Sequence, residues 1–136
     1  MLDTNVFISG VFFSGVPFAI LEAWKERRLQ LVVSVEILDE YRRVGERLAR
    51  TRSGVDLSPF LALLAIHGDT ISAPPLPEPL CADSTDDMFF ACAVAAGCSV
   101  IVSGDKHLHH VTGYRGIEVL SPRAFVERYL KGGRRA

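Results

Sequence analysis

Short apolar runs set between segments of helical period narrow the folds open to this chain more than any other feature. Runs of the kind that form buried strands occur at Gln30–Ser34, Ser99–Ser103 and Ile117–Leu120. Helical patterns occupy Pro17–Arg27, Val35–Arg50, Leu57–His67, Asp86–Ala96 and Pro122–Leu130. Pro17 and Pro122 suit first-turn positions, and Ser34 and Ser121 suit N-caps whose hydroxyls satisfy free backbone N–H groups. Strands alternating with helices predict an α/β fold with a parallel sheet. A chain of 136 residues with 49% hydrophobic content suits one compact domain and is too short for two ordinary ones. The reading is a single domain over 1–130 and a flexible basic tail over 131–136.

Three segments refine this outline. Ala73–Leu80 contains Pro74, Pro75, Pro77 and Pro79, which excludes helix and central strand and implies a stiff extended connection. Asp86–Ala96 has no polar face from Met88 onward, which predicts a centrally buried helix whose opening acids stand out. Met1 and Leu2 leave only a stub before Asp3, where a buried strand usually has about five residues. The stub is either a short first strand or the mark of a start codon set too far downstream.

Composition excludes some classes of function. A net charge of −1 gives no global positive field, so a nucleic-acid partner would have to be held by local basic patches or by metal ions. No run reaches eighteen apolar residues and no basic stretch precedes an apolar one at the N-terminus, so no membrane partner is expected and the cytoplasm is the default compartment. Cys81, Cys92 and Cys98 are odd in number and lack CxxC spacing, which predicts free thiols.

Four acidic positions fall where an α/β fold gathers its chemistry. Asp3 follows the stub and Asp105 follows Val100-Ile101-Val102, so both sit at carboxyl ends of strands, where open parallel sheets bind ligands. Asp86 and Asp87 open the buried helix close to Asp83. Glu40 borders the stripe Ile37, Tyr41, Val44 and Leu48, while Asp39, Arg42 and Glu46 point elsewhere. Two carboxylates about 5 Å apart repel by about 3 kcal/mol at an effective dielectric near 20. Convergence would therefore demand protons or a divalent cation. An oxygen-only donor set points to Mg²⁺ or Mn²⁺ rather than zinc.

The motifs Leu-Asp-Thr-Asn-Val-Phe-Ile-Ser at 2–9, Val-Val-Ser-Val-Glu-Ile-Leu-Asp-Glu-Tyr-Arg-Arg-Val at 32–44, Asp-Ser-Thr-Asp-Asp-Met-Phe-Phe-Ala-Cys-Ala at 83–93 and Val-Ile-Val-Ser-Gly-Asp-Lys-His-Leu at 100–108 give the chain a family likeness. In this order and spacing they resemble PIN domains, specifically the VapC-like toxin ribonucleases of prokaryotic toxin–antitoxin systems. The resemblance implies a three-layer α/β/α fold with a central parallel sheet. It implies that Asp3, Glu40, Asp86 and Asp105 are catalytic and hold Mg²⁺ or Mn²⁺, supported by Thr4, Asn5, Ser103 and Asp87. Asp86 is preferred to Asp87 because the family pattern places its acid three residues after the first Asp of the motif, here Asp83. The implied activity is metal-dependent endoribonuclease cleavage of RNA, and the implied partners are a cognate antitoxin protein and a second copy in a homodimer. Phe12, Phe13 and Leu57–Leu64 are candidate contacts for such partners. Met88 and Cys92 depart from the family, which often has polar residues there.

Plainer readings stand beside these. Asp3 and Asp105 could each be turn residues. Arg42, Arg43, Arg47, Arg50 and Arg52 form a basic run that reads as a solvated helix face, with Arg43 and Arg47 as RNA contacts near Glu40. His107 and His110 would share a helical face but lack a third ligand for a metal. The rival functions are a catalytically silent RNA- or protein-binding PIN module and a Mg²⁺-dependent aspartyl phosphatase. Asn5 stands where such a phosphatase would place its second aspartate, which counts against that rival.

Overall fold

Leu2 is a one-residue strand, and what surrounds it organises the molecule. The computed structural model describes residues 1–51 and 56–131; Arg52 of the basic run and residues 132–136 of the expected tail lie outside the described residues. Leu2 pairs in parallel with Val102, through Asp3 N–H donating to Val102 O at 3.1 Å and Val102 N–H donating to Met1 O at 2.8 Å. Its carbonyl accepts from the Tyr41 hydroxyl rather than from a further strand. Tyr41 is fully buried and stacks on Phe7, ring centroids 4.2 Å apart, so one side chain fixes two helices against the stub.

The elements run α1 (Thr4–Phe12), α2 (Val16–Lys25), β1 (Val32–Ser34), α3 (Val35–Thr51), α4 (Ser58–His67), β2 (Asp69–Ile71), a 3₁₀ turn at Ser84–Asp86, α5 (Asp87–Ala96), β3 (Val100–Val102), α6 (Lys106–His109), β4 (Glu118–Leu120) and α7 (Pro122–Phe125). The chain is α/β, and its strand pairs are parallel. A central parallel sheet is not shown: among the described residues there are two separate two-stranded ladders, β1 with β2 and β3 with β4. Each is three residues long, and the stub bridges to β3 alone. Strands this short form few ladder bonds.

Several local expectations hold for their stated reasons. Ser34 Oγ accepts from Ile37 N–H and Ser121 Oγ from Ala124 N–H, capping α3 and α7. Helix α5 buries Phe89, Phe90, Ala91, Cys92 and Ala93 and ends on Gly97 in the left-handed region, φ 67°. The expected helix to Leu130 keeps α-form only to Phe125 and continues as a π-helical turn over Val126–Lys131. The three cysteines are free thiols. Among the described residues no single helix is long and apolar enough to cross a membrane.

Helix α2 ends differently from expectation. Arg28 N–H donates to Ala23 O and Arg27 N–H to Trp24 O, a pattern that normally places glycine at the left-handed position, yet Arg27 occupies it with φ 61°. A left-handed L-residue costs about 1–2 kcal/mol, partly offset by the extra unfolded-state freedom of glycine. Arg27→Gly is therefore expected to raise stability by up to about 1 kcal/mol in denaturant titrations. A loss of stability would show that the Arg27 side chain contributes more than its backbone costs.

Candidate active site

The carboxyl ends of the stub and β3 feed directly into helices, and their acids begin those helices. Asp3 caps α1, its Oδ1 accepting from Val6 N–H at 2.8 Å; Asp105 caps α6, its Oδ1 accepting from His107 N–H at 2.8 Å. Each is thus a helix cap in extended backbone. Capping does not account for how they are joined. The Ser103 hydroxyl donates to Asp3 Oδ2 and accepts from Asp105 N–H at 2.9 Å, so one buried side chain binds the two acidic segments together.

Glu40 comes to them from α3. Thr4 Oγ1 donates to its Oε2 at 2.8 Å, and Arg43 donates to its Oε1 at 2.9 Å. Tyr41, from the adjacent position, anchors this helix to Leu2 O. Its place in the buried stripe was visible in the sequence; the hydrogen bond was not.

The two neighbouring acids of α5 separate cleanly. Asp87 turns both oxygens to backbone, accepting from Leu80 N–H at 3.1 Å and Cys81 N–H at 2.7 Å, and so ties down the end of the proline-rich connection. The Asp86 backbone N–H donates to Asp83 O at 3.0 Å, but its carboxylate accepts no hydrogen bond among the described residues and lines a polar cleft of about 240 Å³ with Asp3, Thr4, Asn5, Glu40, Arg47 and Asp105. The structure therefore brings together Asp3, Glu40, Asp86 and Asp105, with Thr4 and Ser103 holding them and Asn5 at the wall. It assigns Asp87 to the loop.

Electrostatics reflect this crowding. Burial pushes the Asp3 carboxyl up, opposed by the hydrogen bonds from Ser103 and Val6 and reinforced by the charge of Asp105. The Asp86 carboxyl is pushed up to about 6, first by burial, then by Asp105 and Asp83. Cys81 is raised to about 12 by burial and by Asp87, so no thiolate is at hand near neutral pH.

The donor set is one that Mg²⁺ or Mn²⁺ accepts: carboxylate oxygens with hydroxyl and amide neighbours, and no thiolate. Among the described residues no three acidic, histidine or cysteine groups converge on one point closely enough to hold an ion directly. That fits side chains each turned toward a donor: Asp3 to Val6 and Ser103, Glu40 to Thr4 and Arg43, Asp105 to His107. It is compatible with Mg²⁺, which keeps several waters and needs only one or two carboxylates in direct contact.

Other expected features resolve as follows. His107 and His110 do share a face, rings 6.5 Å apart, while His109 Nε2 lies 2.6 Å from Ser103 O. Arg42 pairs with Asp39, away from the cleft that Arg47 lines. A larger cavity, about 530 Å³ beside Trp24, Leu29 and Leu63, lies at the amino ends of β1 and β2 and is lined by one carboxylate, Asp69. The shifted acids cluster in the smaller cleft instead, which makes it the candidate site.

The profile of a protein family described as PIN domain matches residues 1–107, a stretch that includes all four acids of the cleft. No curated protein and no solved structure matches the chain. With more than half its length matched, the chain belongs to the PIN domain family, whose members are generally nuclease domains.

Proposed function

We propose that this protein is a Mg²⁺- or Mn²⁺-dependent endoribonuclease, with Asp3, Glu40, Asp86 and Asp105 as its catalytic and metal-holding residues. The observation that carries the reading is the meeting of four carboxylates from four distant segments in one polar cleft, two of them pushed up by burial and mutual repulsion. A cluster whose charges disfavour one another gives up stability that a bound cation would restore.

When bound, the divalent ion supplies charge neutralisation at the phosphate and lowers the pKa of an attacking water. The chain's own residues do the rest. Asp3, Asp86 and Asp105 would hold the ion, and Asp86 is the carboxylate with no competing hydrogen bond among the described residues. Glu40, oriented by Thr4 and Arg43, would hold the ion or align the water for in-line attack at phosphorus, with departure of the opposite oxygen. Ser103 keeps Asp3 and Asp105 in register.

The resemblance to toxin components supports a further proposal, that the protein acts in the cytoplasm as the toxin of a toxin–antitoxin pair, as a homodimer restrained by an antitoxin protein. Half-exposed Phe13, and α4, whose Leu64 alone is fully buried and whose Ile66 is 74% exposed, offer apolar surface for such contacts.

The test is incubation of purified protein with a mixed single-stranded RNA pool in Mg²⁺ or Mn²⁺, beside EDTA and small phosphate esters. Cleavage that needs metal and spares the esters is the expected result. Ester hydrolysis would point to a phosphatase, and inertness of folded, metal-binding protein would point to a silent binding module.

A further inference from the structure

Helix α3 carries Arg42, Arg43, Arg47 and Arg50, and the fold sorts these four by side. At about 100° per residue, Arg47 projects about 20° from Glu40, Arg43 about 60° and Arg50 about 80°, whereas Arg42 projects about 160° away. The contacts follow that sorting. Arg47 lines the carboxylate cleft and Arg43 pairs with Glu40, while Arg42 pairs with Asp39. The Arg47 and Arg50 side chains are exposed and make no hydrogen bond or ion pair among the described residues.

Toward the amino end of α3 the same side becomes acidic. Glu36 projects about 40° from Glu40 and shares a groove with Glu78 and Asp87. Along α3, positive charge therefore leaves the cleft toward the carboxyl end of the helix. A solvated helix face or complementation of the helix dipole would explain Arg50 in the last turn. Neither explains an unpaired arginine in mid-helix beside four carboxylates.

Resting on the nuclease reading above, we infer that Arg47 and Arg50, with Arg43 nearest the acids, form a track for the backbone phosphates of single-stranded RNA on one side of the bond to be cut. The three arginines follow one another at about 6 and 4.5 Å along the helix axis. Such a narrow line reaches a few successive phosphates of an extended strand. Double-stranded RNA is read over about 16 base pairs across two grooves, and a chain of net charge −1 has no comparably broad positive face.

The test is fluorescence anisotropy of a 12-nucleotide single-stranded RNA, with Ca²⁺ as the divalent ion, across a salt series. Each phosphate contact contributes about 0.7 to the slope of log K against log salt for single strands. Arg47→Ala should lower the slope by about 0.7, and Arg47→Ala with Arg50→Ala by about 1.4. Arg42→Ala should leave it unchanged, and Mn²⁺ affinity measured by electron paramagnetic resonance should not fall in any of the three. A slope equal to wild type in the double variant would overturn the track while leaving the nuclease reading standing. Wild-type protein that neither binds nor cuts RNA would overturn both.

Discussion

Asp3→Asn should lower metal-dependent RNA cleavage by about 10²-fold or more, the scale typical of losing one preorganised electrostatic group in a closed site, without unfolding the protein. The asparagine carbonyl can still accept from Val6 N–H and cap α1, and the Ser103 hydroxyl can reorient toward the amide. What disappears is a buried negative charge, 4% exposed, whose ionised form the fold already disfavours. The metal-free variant should therefore be as stable as wild type near neutral pH, or more so, while its Mn²⁺ affinity falls. Cleavage rate, Mn²⁺ titration and a denaturant curve on the same preparation separate these effects. Full metal-dependent cleavage by folded Asp3→Asn protein would remove Asp3 from the site.

A second large effect should appear in the pH dependence of stability. The Asp86 carboxyl is pushed up to about 6 in the fold, against about 3.9 in an unfolded chain. Between those values the folded state binds more protons than the unfolded state, so stability in a chelator should fall as pH rises from about 4 to 6 and level off above. Below the unfolded pKa both states are protonated and the penalty vanishes. Asp3, also raised, acts in the same direction. Asp86→Asn should flatten this decline and be more stable than wild type at pH 7 without metal. Adding Mg²⁺ or Mn²⁺ should stabilise wild type at pH 7 and do much less for the variant. Asp87→Asn is the contrast: it weakens the two bonds to Leu80 and Cys81, at a cost of about 1–3 kcal/mol, and should retain metal binding. If Asp87→Asn lost the metal response and Asp86→Asn kept it, the division between the two residues would be reversed.

How much of this was legible beforehand varies by element. The start of α3 at Val35 was readable because Ser34 supplies a cap and Ile37, Tyr41 and Leu48 keep helical spacing, all within one segment. Strand β2 was not, since Asp69-Thr70-Ile71 has no apolar run and becomes a strand only by pairing with Val32-Val33-Ser34. Helix α1 was also unread: Thr4–Phe12 shows almost no amphipathic period, and its close packing on α2 depends on Gly10, where a Cβ would lie 2.7 Å from the Leu21 side chain. Apolar runs indicate strands but not whether neighbouring ladders join into one central sheet, and the described residues show two separate ladders.

The sequence by itself determined which acids exist, their order along the chain, and the α/β alternation that carries them to strand ends and helix starts, because these follow from local period and capping chemistry. Only the tertiary structure decided which of them face one another. Asp86 and Asp87 are chemically identical neighbours, and Asp87 is turned away by two backbone N–H groups of a loop the sequence showed only as extended. Glu40 reaches the cleft through Thr4, thirty-six residues away in sequence, and Asp3 is tied to Ser103 across one hundred. Such orientations depend on donors brought close by folding, and no periodicity within one segment encodes them.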